Sequence, residues 1–164
     1  MGSFAMQECT QPELITETGF YKTVLVVEDE RLVRVATCEL LRESGFDVLA
    51  AENAAAARCL FSQSAEDIDL LLCDDILPDG NGIDLSRELQ ARAPYLKVVL
   101  TSGYPRSLVL GNVENETEQV FLAKPFSAAS LIAKLHSALW SKTAAPRIEL
   151  LSRTITDSLK NLSG

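Results

Sequence analysis

The sequence predicts an α/β protein built on a five-stranded parallel sheet with helices on both faces. Short, almost wholly apolar segments of strand length alternate with longer segments in which apolar residues recur at helical spacing. The chain has 164 residues, which is enough for one ordinary domain with tails. Hydrophobic residues make up 47% of it and charged residues 23%, as in a globular protein.

The first two strand and helix units have clear boundaries. TVLVV, at 23 to 27, predicts a strand, and the helix that follows covers 31 to 44, where a glycine ends it. FDVLA, at 46 to 50, predicts the second strand. An alanine-rich helix then covers 53 to 63 and begins at its cap, Asn53.

Three more strands and two more helices are predicted in the rest of the domain. The strands cover 68 to 73, 96 to 102 and 120 to 124. The helices cover 83 to 93 and the segment from the cap Ser127 to Trp140. The polar segment before the last strand contains a proline and two glycines, so any helix there is short.

Two extensions flank the predicted domain, which covers residues 22 to 141. We expect residues 1 to 21 to be flexible. In residues 142 to 164, apolar residues follow Pro146 at heptad-like intervals, which predicts an additional amphipathic helix. This helix could pack on its own domain, form a homodimer or bind a partner, and the sequence does not choose among these.

Charge and composition limit the kinds of partner. The net charge of −8 argues against direct nucleic-acid binding, which needs a basic surface. No apolar stretch is long enough to span a bilayer, and the amino terminus lacks the pattern of a signal peptide, so we expect a cytoplasmic protein without membrane contact. The four cysteines include no C-x-x-C pair, so neither a zinc site nor a disulfide framework is expected.

Polar side chains stand directly after the predicted strands. In LLLCDDILPDGNG, at 70 to 82, a buried strand ends on two adjacent aspartates, whose carboxylates would repel each other and lose solvation. Parallel sheets bind ligands at the carboxyl ends of their strands, so these residues should share one edge. The residues after the first, third, fourth and fifth strands are Glu28, Asp29, Glu30, Asp74, Asp75, Thr101, Ser102, Lys124 and Pro125.

This set of side chains suits a hard cation and a phosphoryl group. Mg²⁺ takes oxygen ligands, which Glu28, Asp29 and Asp74 can supply, and Mn²⁺ is the alternative ion. A carboxylate can act as a nucleophile and form an acyl phosphate. Lys124 could hold phosphoryl oxygens as a point charge, and Thr101 could donate a hydrogen bond to them.

Four motifs together resemble a known family. VLVVEDE, DDILPDGNG, VVLTSGY and FLAKPF follow one another between residues 23 and 140 as in the receiver domains of response regulators in two-component signalling, with the receivers of hybrid histidine kinases as the nearest type. The resemblance implies a flavodoxin-like, doubly wound sheet with strand order 2-1-3-4-5. It also implies a cis peptide bond between Lys124 and Pro125.

The resemblance assigns a role to individual residues. Asp74 matches the phosphoacceptor, because Pro78 and Gly82 stand four and eight positions after it, whereas both would be off by one from Asp75. The implied metal ligands are Asp29, Asp74 and the main-chain carbonyl of Ile76, with Glu28 acting through water. The switch residues are Thr101 and Phe121, and the phosphoryl-binding lysine is Lys124.

By this resemblance, a histidine kinase or a histidine phosphotransfer protein donates a phosphoryl group to Asp74. Thr101 then turns inward, Phe121 fills the space it leaves, and a protein-interaction face changes conformation toward a downstream protein that the sequence does not identify. Such a chain is not an enzyme and acts by protein contact or as a phosphate sink. Ile76 and Gly103 replace side chains that are often polar in the family, which predicts slow self-dephosphorylation unless Asp75 compensates.

Other interpretations stay open at this point. The chain could be an interaction module that no longer takes phosphate, or a receiver fragment of a hybrid histidine kinase. A metal-dependent phosphohydrolase of the haloacid dehalogenase type would need an acid two places after its nucleophile, where Ile76 stands. The acidic residues after the first strand could simply complement a helix dipole, and Phe121 could be an ordinary core residue. His136 is expected at the surface.

Overall fold

The computed structural model describes residues 21–103 and 120–140. Within them, five strands form one parallel sheet, and four helices and a small antiparallel hairpin accompany it. The strands of the sheet are β1 (Thr23–Val27), β2 (Asp47–Ala51), β3 (Ile68–Asp74), β6 (Lys97–Ser102) and β7 (Val120–Ala123). The hairpin is β4 (Ile76–Leu77) with β5 (Gly80–Asn81), and the helices are α1 (Arg31–Glu43), α2 (Ala54–Ser64), α3 (Gly82–Arg92) and α4 (Ala128–Leu139).

The strand order of the sheet is β2-β1-β3-β6-β7, and every pairing is parallel. Counted along the five strands of this sheet, that order is the predicted 2-1-3-4-5. The order reverses between β1 and β3, so the crevice at their carboxyl ends is where a doubly wound sheet holds its ligand. The predicted C-terminal amphipathic helix and the N-terminal extension lie outside the described residues.

Alternating residues of the strands feed two separate cores, one on each face of the sheet. In β1, Leu25 and Val27 belong to the core that includes Phe61 of α2. Val24 and Val26 face the other way, into the core shared with α1 and α4. Because both faces are covered, the strands are apolar at almost every position, which is the pattern that predicted them.

Side-chain caps begin three of the helices. Asn53 accepts a hydrogen bond from the amide of Ala56 at 2.8 Å, and Ser127 accepts one from the amide of Ser130 at 3.1 Å, as predicted. The cap of α3 is Asn81, whose side chain accepts from the amide of Ile83 at 2.7 Å. That cap was not predicted, and α3 begins one residue earlier than expected.

Several element ends differ from the sequence prediction by one residue, and one element was missed. Strand β2 runs from 47 to 51 instead of 46 to 50, because Phe46 is buried in the core before the strand pairs with β1. The hairpin β4–β5 was not predicted at all, since each of its strands is only two residues long. Among residues 21–103 and 120–140, no helix has the length and apolar character needed to cross a bilayer.

Candidate functional site

Three charged side chains meet at the carboxyl edge of the sheet. The Nζ of Lys124, just after β7, lies 2.6 Å from Oδ2 of Asp74 at the end of β3 and 2.9 Å from Oε2 of Glu28 just after β1. The parallel pairing of β1, β3, β6 and β7 brings these strand ends together. The predicted convergence of these residues is therefore present, with one cation between two carboxylates.

The acidic side chains form a compact group beside the lysine. One carboxylate oxygen from each of Glu28, Asp29 and Asp74 lies within 4.8 Å of the other two. Glu28 is buried and Asp29 is exposed, so the group opens toward solvent on one side. Oxygen ligands with room for water are what Mg²⁺ requires, so these residues fit such an ion.

Burial and neighbouring charges change the proton affinity of the two central groups. Burial raises the pKa of Asp74 to about 6, although the hydrogen bond from Lys124 acts in the opposite direction, and a hydrogen bond with Asp75 raises it further. Burial alone would lower the pKa of Lys124, but its hydrogen bonds to Asp74 and Glu28 outweigh that effect and raise it. Lys124 therefore stays charged and opposes the repulsion between the carboxylates.

Arg34 fixes the turn that carries the first two acidic residues. This side chain of α1 donates from Nη1 to the main-chain oxygens of Glu28 at 2.6 Å and Asp29 at 3.0 Å. Two main-chain carbonyls between β1 and α1 thus have hydrogen-bond partners, and the carboxylates of the same two residues belong to the acidic group. Arg34 was not among the predicted site residues. Its only sign in the sequence is an arginine placed one turn into a helix that follows an acidic strand end.

The amino terminus of α3 approaches the phosphoacceptor candidate closely. A Cβ added to Gly82 would lie 2.0 Å from the main-chain oxygen of Asp74, so only glycine fits there. Gly82 also donates its amide to the main-chain oxygen of Asp75 at 2.9 Å. This contact gives a physical reason for a glycine eight residues after Asp74.

The end of β6 supplies two buried hydroxyls in different settings. Oγ1 of Thr101 lies 3.5 Å from the main-chain oxygen of Cys73, a long distance for a hydrogen bond. Ser102 donates from Oγ to Oδ2 of Asp75 at 2.7 Å. Asp75, one residue beyond the strand end, is 6% exposed. Its carboxylate is thus buried against β6 and is not one of the three clustered acids.

The chain is similar in sequence to proteins of one known family. A sequence model described as response regulator receiver domain matches residues 24–136 of the chain. The chain belongs to the response regulator receiver family. The chain is therefore a receiver domain of a two-component system, as its four motifs predicted.

Individual relatives show how this receiver domain compares with longer proteins. It is 31% identical over 119 residues to the sensor kinase CckA of Brucella abortus, which covers 73% of this chain and 13% of that protein. It is 35% identical over 124 residues to the transcriptional regulatory protein CpxR of Klebsiella pneumoniae, covering 73% of this chain and 51% of that protein. The chain therefore spans only part of these curated relatives.

Solved structures agree with the observed fold. The receiver domain of the hybrid histidine kinase CckA has a TM-score of 0.62 and 32% identity, covering 71% of this chain and 98% of that one. The response regulator TrrA of Thermotoga maritima, solved in complex with Mg²⁺ and BeF, has a TM-score of 0.63 and 25% identity, covering 72% of this chain and 99% of that one.

The structure also describes the remaining predicted residues of the receiver domain. Phe121 is half-buried and packs against the core that contains Phe61. The side chain of Ile76 is 59% exposed, beside the site. The bond between Lys124 and Pro125 is cis, as predicted. His136 is exposed, as expected, although its ring stacks on Trp140 with centroids 4.9 Å apart.

Proposed function

We propose that this receiver domain accepts a phosphoryl group on Asp74 from the phosphohistidine of a histidine kinase or a histidine phosphotransfer protein. The observation that carries the proposal is the contact of 2.6 Å between Lys124 and Asp74 beside the cluster of three carboxylates. A carboxylate nucleophile, a fixed cation and oxygen ligands for a metal are the parts that phosphoryl transfer to an aspartate needs.

In the proposed reaction, a carboxylate oxygen of Asp74 attacks phosphorus while the phosphorus–nitrogen bond of the phosphohistidine breaks. The imidazole leaves with the electron pair and takes up a proton, and the product is an acyl phosphate on Asp74. Lys124 balances the negative charge of the phosphoryl oxygens, which it reaches from its position beside Asp74.

Asp29, Asp74 and the main-chain carbonyl of Ile76 would hold Mg²⁺ or Mn²⁺, and Glu28 would contribute through water. The bound ion would neutralise charge on the incoming phosphoryl group. The donor set supports this assignment, because all of its members offer oxygen atoms and Asp29 is open to solvent.

We further propose that phosphorylation selects between two conformations of the domain. Among residues 21–103 and 120–140, the Thr101 hydroxyl is held by a single contact of 3.5 Å, so it can turn toward a phosphoryl group on Asp74. Phe121 would then move into the space beside it. The response is passed on by protein contact, or the domain drains phosphate from its kinase, within the cytoplasm and without catalysing a separate reaction.

A second candidate is a receiver that works as a segment of a hybrid histidine kinase. The identity of 32% to the receiver of the hybrid kinase CckA favours it. In that case the phosphoryl donor would be a histidine of the same polypeptide. Sequencing the coding region on both sides of the chain, followed by a phosphotransfer assay with any adjoining kinase segment, separates the two.

The central experiment compares two adjacent aspartates. The protein is incubated with Mg²⁺ and acetyl phosphate, and its intact mass is measured. We expect a gain of one phosphoryl group in the wild type and in Asp75→Asn, and none in Asp74→Asn or after chelation of the metal. Labelling of Asp74→Asn with loss in Asp75→Asn would show that the register is wrong, and no label on the wild type would favour an interaction module.

A further inference from the structure

Consecutive hydrogen bonds join the ends of three strands just beyond the carboxylate cluster. Asp75 donates its amide to the main-chain oxygen of Thr101 at 2.9 Å, and its carboxylate accepts the hydroxyl of Ser102 at 2.7 Å. The main-chain oxygen of Ser102 in turn accepts the amide of Lys124 at 2.7 Å. We call these three bonds the 75–102–124 tether. It connects the residue after Asp74 to the residue that carries the cation.

The hydrogen bond between Asp75 and Ser102 is buried. Asp75 is 6% exposed and Ser102 is 2% exposed. A carboxylate in such a place loses hydration and is stable only when hydrogen-bonded, and a bond to an ionised acceptor is stronger than a neutral one. An apolar side chain would fill the same space without that requirement, so packing alone does not account for an aspartate at position 75.

The two hydroxyls at the end of β6 differ in how firmly they are held. Ser102 has a short bond to Asp75, whereas the hydroxyl of Thr101 lies 3.5 Å from its acceptor on Cys73. The hydroxyl that must turn toward a phosphoryl group is therefore weakly held, and the next residue is anchored on both its side chain and its main chain. Anchoring Ser102 lets Thr101 rotate while the strand end that positions Lys124 stays in place.

We propose that Asp75 is a positioning residue for phosphoryl transfer, which by holding Ser102 fixes the main chain that presents Thr101 and Lys124 to Asp74. This inference rests on the proposed function, because it concerns the rate of acyl phosphate formation. The side chain of Asp75 also hydrogen-bonds to that of Asp74, but the positioning role concerns its bond to Ser102. It acts through Ser102, and the hydrogen bond, not the negative charge, is the required property.

The test measures the rate of acyl phosphate formation at saturating Mg²⁺ as a function of acetyl phosphate concentration. Loss of a hydrogen bond to a buried charged group should slow the maximal rate of Ser102→Ala and of Asp75→Leu about tenfold. The two effects should be less than additive in the double variant, because both substitutions break the bond between Asp75 and Ser102. Asp75→Asn should stay within about twofold of wild type, since its amide oxygen accepts the same hydroxyl. Ser137→Ala, on the exposed side of α4, is the matched control.

A second readout needs no phosphorylation. In the metal-free protein, amide hydrogen exchange at Asp75 and Lys124 should be about tenfold faster in Ser102→Ala than in wild type, with no change at Val26 in the middle of β1. Ser102→Ala removes only one oxygen atom, so it keeps the test valid if Asp75→Leu does not fold.

The outcomes separate this inference from the proposed function. A wild-type rate in Ser102→Ala, or a rate for Asp75→Asn as slow as that for Asp75→Leu, would overturn the positioning role. No acyl phosphate on the wild type would overturn the proposed function and with it the role in transfer. Faster exchange at the two amides in that case would show that the tether is structural only.

Discussion

Lys124 lies between two carboxylates that would otherwise repel each other. Its contacts to Asp74 and Glu28 are both shorter than 3 Å, and all three side chains are largely withdrawn from water. A single cation cannot fully offset two desolvated carboxylates, and the raised pKa of Asp74, about 6, reflects this. The residue proposed as nucleophile is therefore also a source of instability when no metal is bound.

Replacing Asp74 should stabilise the metal-free protein in a pH-dependent way. The pKa of Asp74 is about 6 in the folded protein against an ordinary value of 3.8, so the fold favours the neutral carboxyl, and the stability it contributes at low pH is lost as pH rises through 6. Asp74→Asn cannot ionise. Allowing for residual solvent, we expect it to raise the free energy of unfolding by about 1–2 kcal/mol at pH 8 and by little at pH 4.

Urea denaturation with a chelator present measures this effect at both pH values. Asp67→Asn, at an exposed position beyond α2, serves as the control and should change little. Destabilisation of Asp74→Asn at pH 8, or a gain of equal size at both pH values, would contradict the explanation.

Ile76 should prolong the life of the acyl phosphate. Its exposed apolar side chain has no donor or acceptor with which to position the water that would hydrolyse the acyl phosphate. We expect Ile76→Asn to shorten the half-life several-fold, about 1 kcal/mol in the barrier. Loss of the phosphoryl group from the isolated protein, followed by mass spectrometry, measures it. A half-life that is already short in the wild type would refute the slow hydrolysis predicted from Ile76 and Gly103.

At the scale of the elements, the position of Asp74 depends on close packing of the start of α3 against its main chain. The helix begins at Gly82, whose missing side chain lets its backbone lie against the main-chain oxygen of Asp74. Asn81 caps the same helix, and Asp79 accepts the amides of Ala54 and Ala55 at 2.8 Å each, which joins the loop before α3 to the start of α2. The loop after β3 is thus held at both ends.

Gly82→Ala should therefore damage both stability and function. A Cβ would lie 2.0 Å from a backbone oxygen that cannot rotate away, so α3 or β3 must shift. We expect a loss of about 2–4 kcal/mol in the free energy of unfolding, together with slower acyl phosphate formation. Thermal unfolding and the mass assay measure the two effects.

Gly80→Ala is the matched control for this variant. Gly80 is two residues away in the same loop, and a Cβ there would meet nothing within 4 Å. It should stay within about 0.5 kcal/mol of wild type. Equal losses in the two variants would mean that the loop, and not the contact with Asp74, is sensitive.

Elements with a strong periodic pattern were predictable, and those set by tertiary contacts were not. The apolar run of β1 gave correct boundaries, and the caps Asn53 and Ser127 marked the correct starts of α2 and α4, because local chemistry determines them. The hairpin β4–β5 is too short for any period to show, and the start of β2 depends on the burial of Phe46 by distant elements.

The candidate site followed the same division. Glu28, Asp74 and Lys124 could be brought together from sequence because parallel strand ends share one edge. The contacts of Arg34 and of Asp75 could not be predicted from the sequence. Such hydrogen bonds depend on the tertiary structure and produce no periodic pattern of residues.

At the scale of the whole molecule, the two cores hold the strands in place, and the charged side chains of the site lie at the carboxyl edge of the sheet. Leu25 in one core and Val26 in the other lie within three residues of Glu28, so the position of the acid is fixed by packing on both faces of the sheet. A ligand that binds at this edge is therefore linked to the stability of the entire domain.

Mg²⁺ should raise the melting temperature of the domain through this linkage. At a concentration one hundred times the dissociation constant, a single site adds about 2.7 kcal/mol to the free energy of unfolding. Asp29→Asn should remove most of the gain while changing the metal-free stability by less than about 0.5 kcal/mol, because Asp29 is exposed. Differential scanning fluorimetry with and without Mg²⁺ measures both quantities.

Glu30→Gln provides the control for this experiment. Glu30 is the next residue, is exposed, and stands outside the cluster of three carboxylates. It should keep the full increase in melting temperature. An equal loss in both variants would point to general attraction of the cation by surface charge instead of coordination.

The two partners of Lys124 are 96 and 50 positions before it in the chain. During synthesis, the ribosome therefore releases the acidic residues long before it releases their cation. Any shortened polypeptide that ends before β7 would keep its aspartates and have no lysine to balance them. Until β7 has joined the sheet, the carboxylates at this edge would repel one another without Lys124 between them.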